Sequence, residues 1–320
     1  MWVFKPILKS VIWGGEKIKE LKGLEVDRND IGESWEISGL RGSESVVAEG
    51  PDKDLAISEL IDRYGAALLG KKNYLKFGNS FPLLIKFIDA AGDLSIQVHP
   101  DDSLAKARGA SSGKSEMWHI LEATENAKIV FGLNNKISKE EYSEKICSEK
   151  ITDYINYINV KKGDSFMIPA GRIHSIGKGV LLAEIQQCSD ITYRLFDYGR
   201  LGVDGKPRAL HHEEAFEALN FEDVNPGKIE YTPKKGQPVN LVSDPRFIVN
   251  HWTVTDEVMR DYSEWDTFVI IMAINGEADL VAGNESKRIH KGETVLLPAS
   301  CHNVKIIPHG DFEALETFIK

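Results

Sequence analysis

Hydrophobic and polar positions alternate over Asp93-Leu-Ser-Ile-Gln-Val-His-Pro-Asp-Asp102. In an extended chain, Ser95, Gln97 and His99 fall on one face and Leu94, Ile96 and Val98 on the other. A hydroxyl, an amide and an imidazole make a poor core face and a good metal or ligand face. Lys114-Ser-Glu-Met-Trp-His-Ile120 repeats the pattern, with Lys114, Glu116, Trp118 and Ile120 on one face. Gly163-Asp-Ser-Phe-Met-Ile-Pro-Ala-Gly-Arg-Ile-His174 then reads as a short apolar strand that ends at Pro169, turns at Gly171 and presents His174. Gln97, His99, Glu116 and His174 together form a nitrogen and oxygen ligand set suited to zinc or another borderline divalent ion.

Further β-like runs are expected at Ser45–Glu49, Leu83–Phe87, Leu94–His99, Glu116–Leu121, Lys128–Phe131, Ser165–Ile168 and Val180–Gln187. Helices are expected at Leu55–Tyr64, Ser103–Arg108, Ser138–Tyr154 and His212–Leu219. The third opens Ser-Lys-Glu-Glu, a capping-box pattern. After a Pro- and Gly-rich connection, strands are expected at Phe247–Val254, Phe268–Ile274, Glu277–Val281, Lys287–His290 and Thr294–Leu297. The chain therefore divides into 1–225, carrying the ligand set, a linker at 226–240, and a smaller β unit at 241–320. Gly163-Asp-x4-Pro169-Ala-Gly-x2-His174 is echoed by Gly292-Glu-x4-Pro298-Ala-Ser-x-His302. The first copy is similar to the second motif of cupins, which are double-sheet jelly rolls. The second has no counterpart of Gln97-x-His99 or Glu116 and is read as metal-free. The expected fold is mainly β: two cupin-type jelly-roll barrels with a few short peripheral helices.

Composition narrows the function. Lys and Arg number 39 against 49 Asp and Glu, a net charge of −10, which argues against nucleic acid as a partner. An anionic small substrate would need a few deliberately placed cations. No stretch approaches the roughly 20 apolar residues of a membrane span, and the start, Met1-Trp-Val-Phe-Lys-Pro, does not predict a signal peptide. Three scattered cysteines, Cys147, Cys188 and Cys301, fit a reducing cytoplasm. Oligomeric state is left open.

Five motifs carry a resemblance. They are Trp13-Gly14-Gly15 with Gly32-Glu-Ser-Trp-Glu-Ile-Ser38, Ser95–Asp102, Lys114–His119, Ile168–His174 and Glu184-Ile-Gln-Gln-Cys-Ser-Asp-Ile-Thr-Tyr-Arg-Leu-Phe-Asp-Tyr-Gly-Arg200. In this order they resemble type I mannose-6-phosphate isomerases (phosphomannose isomerases), in the short bacterial form. The resemblance implies interconversion of mannose 6-phosphate and fructose 6-phosphate through an enediol. It implies one zinc ion per chain on Gln97, His99, Glu116 and His174, a catalytic Arg194, and Ser95 and Lys114 near the substrate. Lys114 is then a candidate proton shuttle or phosphate ligand. Asp190 and Glu184 share parity with Arg194 if the chain is extended from 184 to 194, and either suits ring opening; Asp190 is also a candidate substrate ligand.

Two other readings use the same residues. One is a different metal cupin enzyme such as a non-haem iron oxygenase, because two His and a carboxylate are contained in the set. The other is a non-catalytic sugar-phosphate-binding cupin. The extra Gln97 and the Lys114/Arg194 pair weigh against the first, and intact Lys114 and Arg194 against the second. Blander roles are expected elsewhere. Trp35 and Trp118 are read as core, His119 as a packed histidine, His211 and His212 as near solvent, and His302 as a remnant of the repeat. Asp197 is a possible ion-pair partner of Arg194.

Overall fold

In the computed structural model, residues 1–145, 151–202, 204–224 and 227–320 are described. Four antiparallel sheets make up the protein. The first runs β1 (Ile7–Gly15), β2 (Ile31–Ser38), β3 (Leu83–Ala90), β10 (Val180–Gln187), β5 (Glu116–Ala123), β8 (Ser165–Ile168). The second runs β11 (Tyr193–Phe196), β4 (Ile96–Val98), β9 (His174–Ile176), β6 (Lys128–Leu133), β7 (Ile155–Asn159). The third runs β12 (Val239–Asp244), β13 (Phe247–Val254), β20 (Phe312–Phe318), β15 (Val269–Asn275), β18 (Thr294–Leu297). The fourth runs β14 (Val258–Asp261), β19 (Asn303–Pro308), β16 (Glu277–Ala282), β17 (Glu285–His290). The fold is thus mainly β and jelly-roll in form, but each pair consists of two open sheets rather than one closed barrel.

Alternation along the strands sorts side chains into separate cores. Ile88, Trp118, Ile120, Val180 and Leu182 of the first sheet meet Ile129, Phe131 and Ile176 of the second. The opposite parity of the same strands, Ile85, Phe87, Met117, Leu121, Leu181 and Ile185, packs against Phe247, Val249, Ile270, Met272 and Leu315 of the third. The third and fourth sheets enclose another core around Val269, Ile271, Leu280 and Val304. The layers therefore stack as second, first, third and fourth sheet. β3 and β10 are buried at every position, because the first sheet has a core on both faces.

Among the described residues, seven short helices lie around the sheets: α1 (Lys17–Leu21), α2 (Ile57–Tyr64), α3 (Ala66–Leu69), α4 (Lys71–Phe77), α5 (Asp102–Ala107), α6 (Lys139–Lys145) and α7 (His212–Ala218). Asp101 caps α5 by accepting from the Leu104 N–H at 2.8 Å. The Ser138/Glu141 capping box forms reciprocally at 3.1 Å in both directions. No described helix is long and apolar enough to cross a membrane.

Several expectations need correcting. Ser45–Glu49 is not a regular strand; Val46 and Val47 make only isolated bridges, to Ala56 and Phe4. The Leu94–His99 strand shrinks to Ile96–Val98. α6 is described over Lys139–Lys145; residues 146–150 of the expected Ser138–Tyr154 helix, Cys147 among them, lie outside the described residues, and Ile151–Asp153 is a 3₁₀ turn. Residues 225 and 226, where the linker is expected to begin, also lie outside them. The third sheet starts at Val239, inside the expected linker.

The internal repeat extends to whole sandwiches. β5 pairs with β8 so that Glu116 lies opposite Ile168, the residue before Pro169. β15 pairs with β18 so that Val269 lies opposite Leu297, the residue before Pro298. Val269 therefore holds in the second sandwich the place of Glu116 in the first.

One polar spot interrupts the layer between the sandwiches. His119 Nδ1 is 2.9 Å from Ser165 Oγ, its ring centroid is 5.6 Å from that of His251, and His251 Nε2 is 3.2 Å from Glu313 Oε2. Burial, with His251 adding to it, pushes the His119 pKa down to about 3. The unfolded chain titrates this group near ~6.5. Its stabilising contribution is therefore complete above that pH and is lost as pH falls toward about 3. In His119→Gln, the slope of unfolding free energy against pH between pH 6 and 4.5 is expected to be shallower by up to about 1.4 kcal/mol per pH unit, one proton's worth. Urea denaturation of both proteins across that range measures it. In the same layer, Phe247→Ala removes a fully buried ring and is expected to cost about 3–5 kcal/mol in the same assay.

Candidate active site

β4 is only three residues long, but its parity arranges the site. Ile96 and Val98 pack outward, in the layer that also holds Tyr193, Ala215 and Leu219. Gln97 faces His174 across the β4–β9 ladder. Leu94, expected beside Ile96 and Val98, instead joins the inner core and lines the pocket, because regular alternation begins only at Ile96. Gly171 takes a left-handed φ of 89°, which a side chain would strain. From that turn its N–H donates to the His99 carbonyl at 2.9 Å, tying the two histidine motifs together.

Glu116 approaches from the facing sheet. His99 Nε2 and His174 Nε2 are 3.1 Å apart. His99 Nε2 is 3.4 Å from Glu116 Oε2, and His174 Nε2 is 3.3 Å from Oε1. All three side chains are buried, and they form a potential cation-binding group. His174 Nδ1 lies 2.8 Å from the Arg172 carbonyl; donating to it leaves the Nε2 lone pair facing the cluster. Burial, reinforced by Lys114, pushes His99 down to about 3, and burial also lowers His174. Burial alone would raise Glu116, but Lys114 and the two imidazoles outweigh it and hold the carboxyl well below its usual range. Two neutral imidazoles and a carboxylate thus converge, and neither Glu116 oxygen has an aligned hydrogen bond. The Lys114 ammonium, 3.0 Å from Oε2, offsets part of the burial cost of this carboxylate, and a cation among the three groups would offset more. The separations match the edge of a tetrahedron with metal–ligand bonds near 2.0–2.1 Å, which is about 3.3 Å. The residues fit a zinc-like ion.

Gln97 and Lys114 sit at the rim of this group. Gln97 Nε2 is 3.3 Å from His174 Nε2, while its Oε1 accepts from Ser95 Oγ at 3.2 Å. Its oxygen reaches the cluster by a half-turn of the amide, which leaves Nε2 to donate to Ser95 Oγ. Lys114 Nζ lies 2.8 Å from His99 Nε2 and 3.0 Å from Glu116 Oε2.

A cavity of about 210 Å³ opens beside the cluster, lined by Ser95, Gln97, Lys114, Glu184, Asp190 and Arg194 among others. Lys86 and Glu33 line it too, and sequence reasoning missed both. Lys86 Nζ lies 3.1 Å from Glu184 Oε1 and 3.3 Å from Glu33 Oε2. Trp35 Nε1 donates to Glu33 at 2.6 Å and Trp118 Nε1 to Glu184 at 3.0 Å. Burial opposes the Lys86 charge, but Glu184 and Glu33 outweigh it and raise its pKa. Burial raises Glu184 despite Lys86. A signal was present: Lys86 is the lone cation in the otherwise apolar run Leu83-Leu-Ile-Lys-Phe-Ile88. Trp35 and Trp118, expected as core, are buried and also line the cavity.

Arg194 reaches the cavity by a different route from the one expected. The chain is not extended from Glu184 to Arg194: β10 ends at Gln187 and β11 starts at Tyr193. Glu184, Asp190 and Arg194 line the cavity nonetheless. Asp190 is exposed at its mouth. Asp197 pairs with Arg200 and Arg208, not with Arg194. Among the described residues, Arg194 has no carboxylate within ion-pair distance, and its buried Nε has no partner. Burial, then Arg208, lowers its pKa. His211, expected near solvent, accepts from the Arg194 N–H through Nδ1 at 3.1 Å.

Residues 1–128 match the family model for the phosphomannose isomerase type I catalytic domain, and residues 239–313 match the mannose-6-phosphate isomerase cupin domain. The chain is 33% identical over 307 residues to mannose-6-phosphate isomerase ManA of Bacillus subtilis, covering 95% of this chain and 94% of that protein. It is 33% identical over 292 residues to mannose-6-phosphate isomerase of Streptococcus mutans, covering 90% and 89%. The crystal structure of the mannose 6-phosphate isomerase from Bacillus subtilis superposes with a TM-score of 0.88 at 31% identity, covering 99% of this chain and 98% of that one. With relatives this similar along nearly its whole length, the chain belongs to the type I phosphomannose isomerase family.

Proposed function

We propose that this chain interconverts mannose 6-phosphate and fructose 6-phosphate, with one zinc ion per chain held by Gln97, His99, Glu116 and His174. The observation that carries the reading is one small cavity that joins a cation-ready donor set to an arginine without a counter-charge. That pairing suits an anionic, oxygen-rich sugar better than it suits dioxygen chemistry.

The reaction moves a proton between C2 and C1 while negative charge grows on O1 and O2. A divalent ion in the donor set would supply Lewis-acid stabilisation of that charge. Lys114 borders both the donor set and the cavity, and we assign it the proton transfer. Glu184, whose carboxyl is raised by burial, suits the acid/base step of ring opening. Arg194, a permanent forked cation, suits the developing enediolate or the phosphate. Arg208 extends the same positive end of the cavity. Ser95 and Asp190 are placed to meet sugar hydroxyls.

Residues 1–225 form the catalytic unit in this reading, 226–240 the linker, and 241–320 a metal-free support whose Val269 replaces the carboxylate. The described cysteines, Cys188 and Cys301, are free, which suits a reducing cytoplasm.

In a coupled assay, turnover of mannose 6-phosphate is expected to disappear on chelation and return when zinc is added. Fully metallated protein without turnover would leave the sugar-phosphate-binding or oxygenase reading. Arg194→Ala is expected to lower kcat/KM by about 10²–10³-fold with zinc content unchanged; undiminished turnover would remove Arg194 from the mechanism. Lys86→Met leaves Glu33 and Glu184 buried without their shared cation, and is expected to lower unfolding stability by about 3 kcal/mol in urea.

A further inference from the structure

β11 is an edge strand of the second sheet, with β4 on one side only. Arg194 lies across from Gln97 in that pairing, but its own N–H and C=O turn to the open edge. A single residue satisfies both groups. The His211 N–H donates to the Arg194 carbonyl at 2.8 Å, and His211 Nδ1 accepts from the Arg194 N–H at 3.1 Å. The side chain thus takes the place of a neighbouring strand's carbonyl. The His211 carbonyl in turn accepts from the Ala215 N–H at 2.8 Å and starts α7. The site arginine is therefore tied through His211 to a helix that packs on the same sheet.

Resting on the reading of Arg194 above, we infer that His211 is a positioning residue: its neutral Nδ1 lone pair fixes the Arg194 backbone, and so aims a guanidinium that has no protein partner of its own. Among the described residues no carboxylate pairs with this guanidinium and its buried Nε has no partner, so its aim is set from the backbone end. Burial, then Arg194 itself, holds the His211 pKa below its ordinary value, which keeps the acceptor lone pair available. Arg208, which lies between the two partners in the chain, lines the same cavity.

The test separates the acceptor from the ring. His211→Asn keeps an acceptor at the branch position of Nδ1, whereas His211→Phe keeps a ring and removes the acceptor. The His211 backbone N–H bond survives in both. His211→Phe is expected to lower kcat/KM by about 10–100-fold, the scale of a small misplacement at a site. His211→Asn is expected to recover activity to within about threefold of the parent. Zinc content and thermal midpoint are measured for each. Combined with Arg194→Ala, His211→Phe should lower kcat/KM no further, because the two changes act through one group. Parental activity in His211→Phe, or equal loss in both His211 variants, overturns the inference while an inactive Arg194→Ala leaves the reaction reading in place. An active Arg194→Ala removes Arg194 from the mechanism and overturns the inference, while the reaction reading stands.

Discussion

The register of the first sheet is the constraint on which the rest depends. That sheet has a core on each face, so each of its strands divides its residues between two environments by parity alone. On β5, Glu116 and Trp118 face the site, while Met117 and His119 face the second sandwich. On β10, Glu184 faces the site between Ala183 and Ile185, which do not. A slip of one residue would exchange carboxylates with aliphatic side chains on both faces at once. The apolar layer against the third sheet therefore does more than add stability: it fixes which residues form the site.

Charge follows the same logic. An acidic chain must concentrate its cations where an anion is to be held. Lys86 is held by Glu33 and Glu184, Lys114 by Glu116 and Arg208 by Asp197. These pairs keep buried charges from standing alone. Arg194 is left without a carboxylate among the described residues, and its position is set through its backbone. Fixing an unpaired cation from behind avoids neutralising it in front.

The two sandwiches share strand order but not chemistry. Val269 stands where Glu116 stands in the first, and the second interior is filled by apolar residues and by a buried Glu316 saturated by Arg260, Tyr262 and Asn250. The glycine-to-proline spacing is the same in both sandwiches, while the histidine follows the proline by one position fewer in the second. The outer surface of the third sheet serves as the second wall of the first sheet.

The β class, the repeat and the residues His99, Glu116 and His174, which the fold brings together, were legible along the chain. Alternation at Ser95, Gln97 and His99 and the turn at Gly171 are local properties, set by strand pleat and backbone sterics over a few residues. Strand edges were less legible, because Ile96–Val98 and the isolated bridges at Val46 and Val47 depend on which partner lies alongside. Lys86 and Glu33 became site residues only through their pairing with Glu184, on strands distant in sequence. His211 read as a solvent histidine until its side chain was found on a sheet edge. Only the tertiary structure decided these roles, because a buried charge or an edge hydrogen bond is defined by its partner, and the partners come together only when the sheets stack.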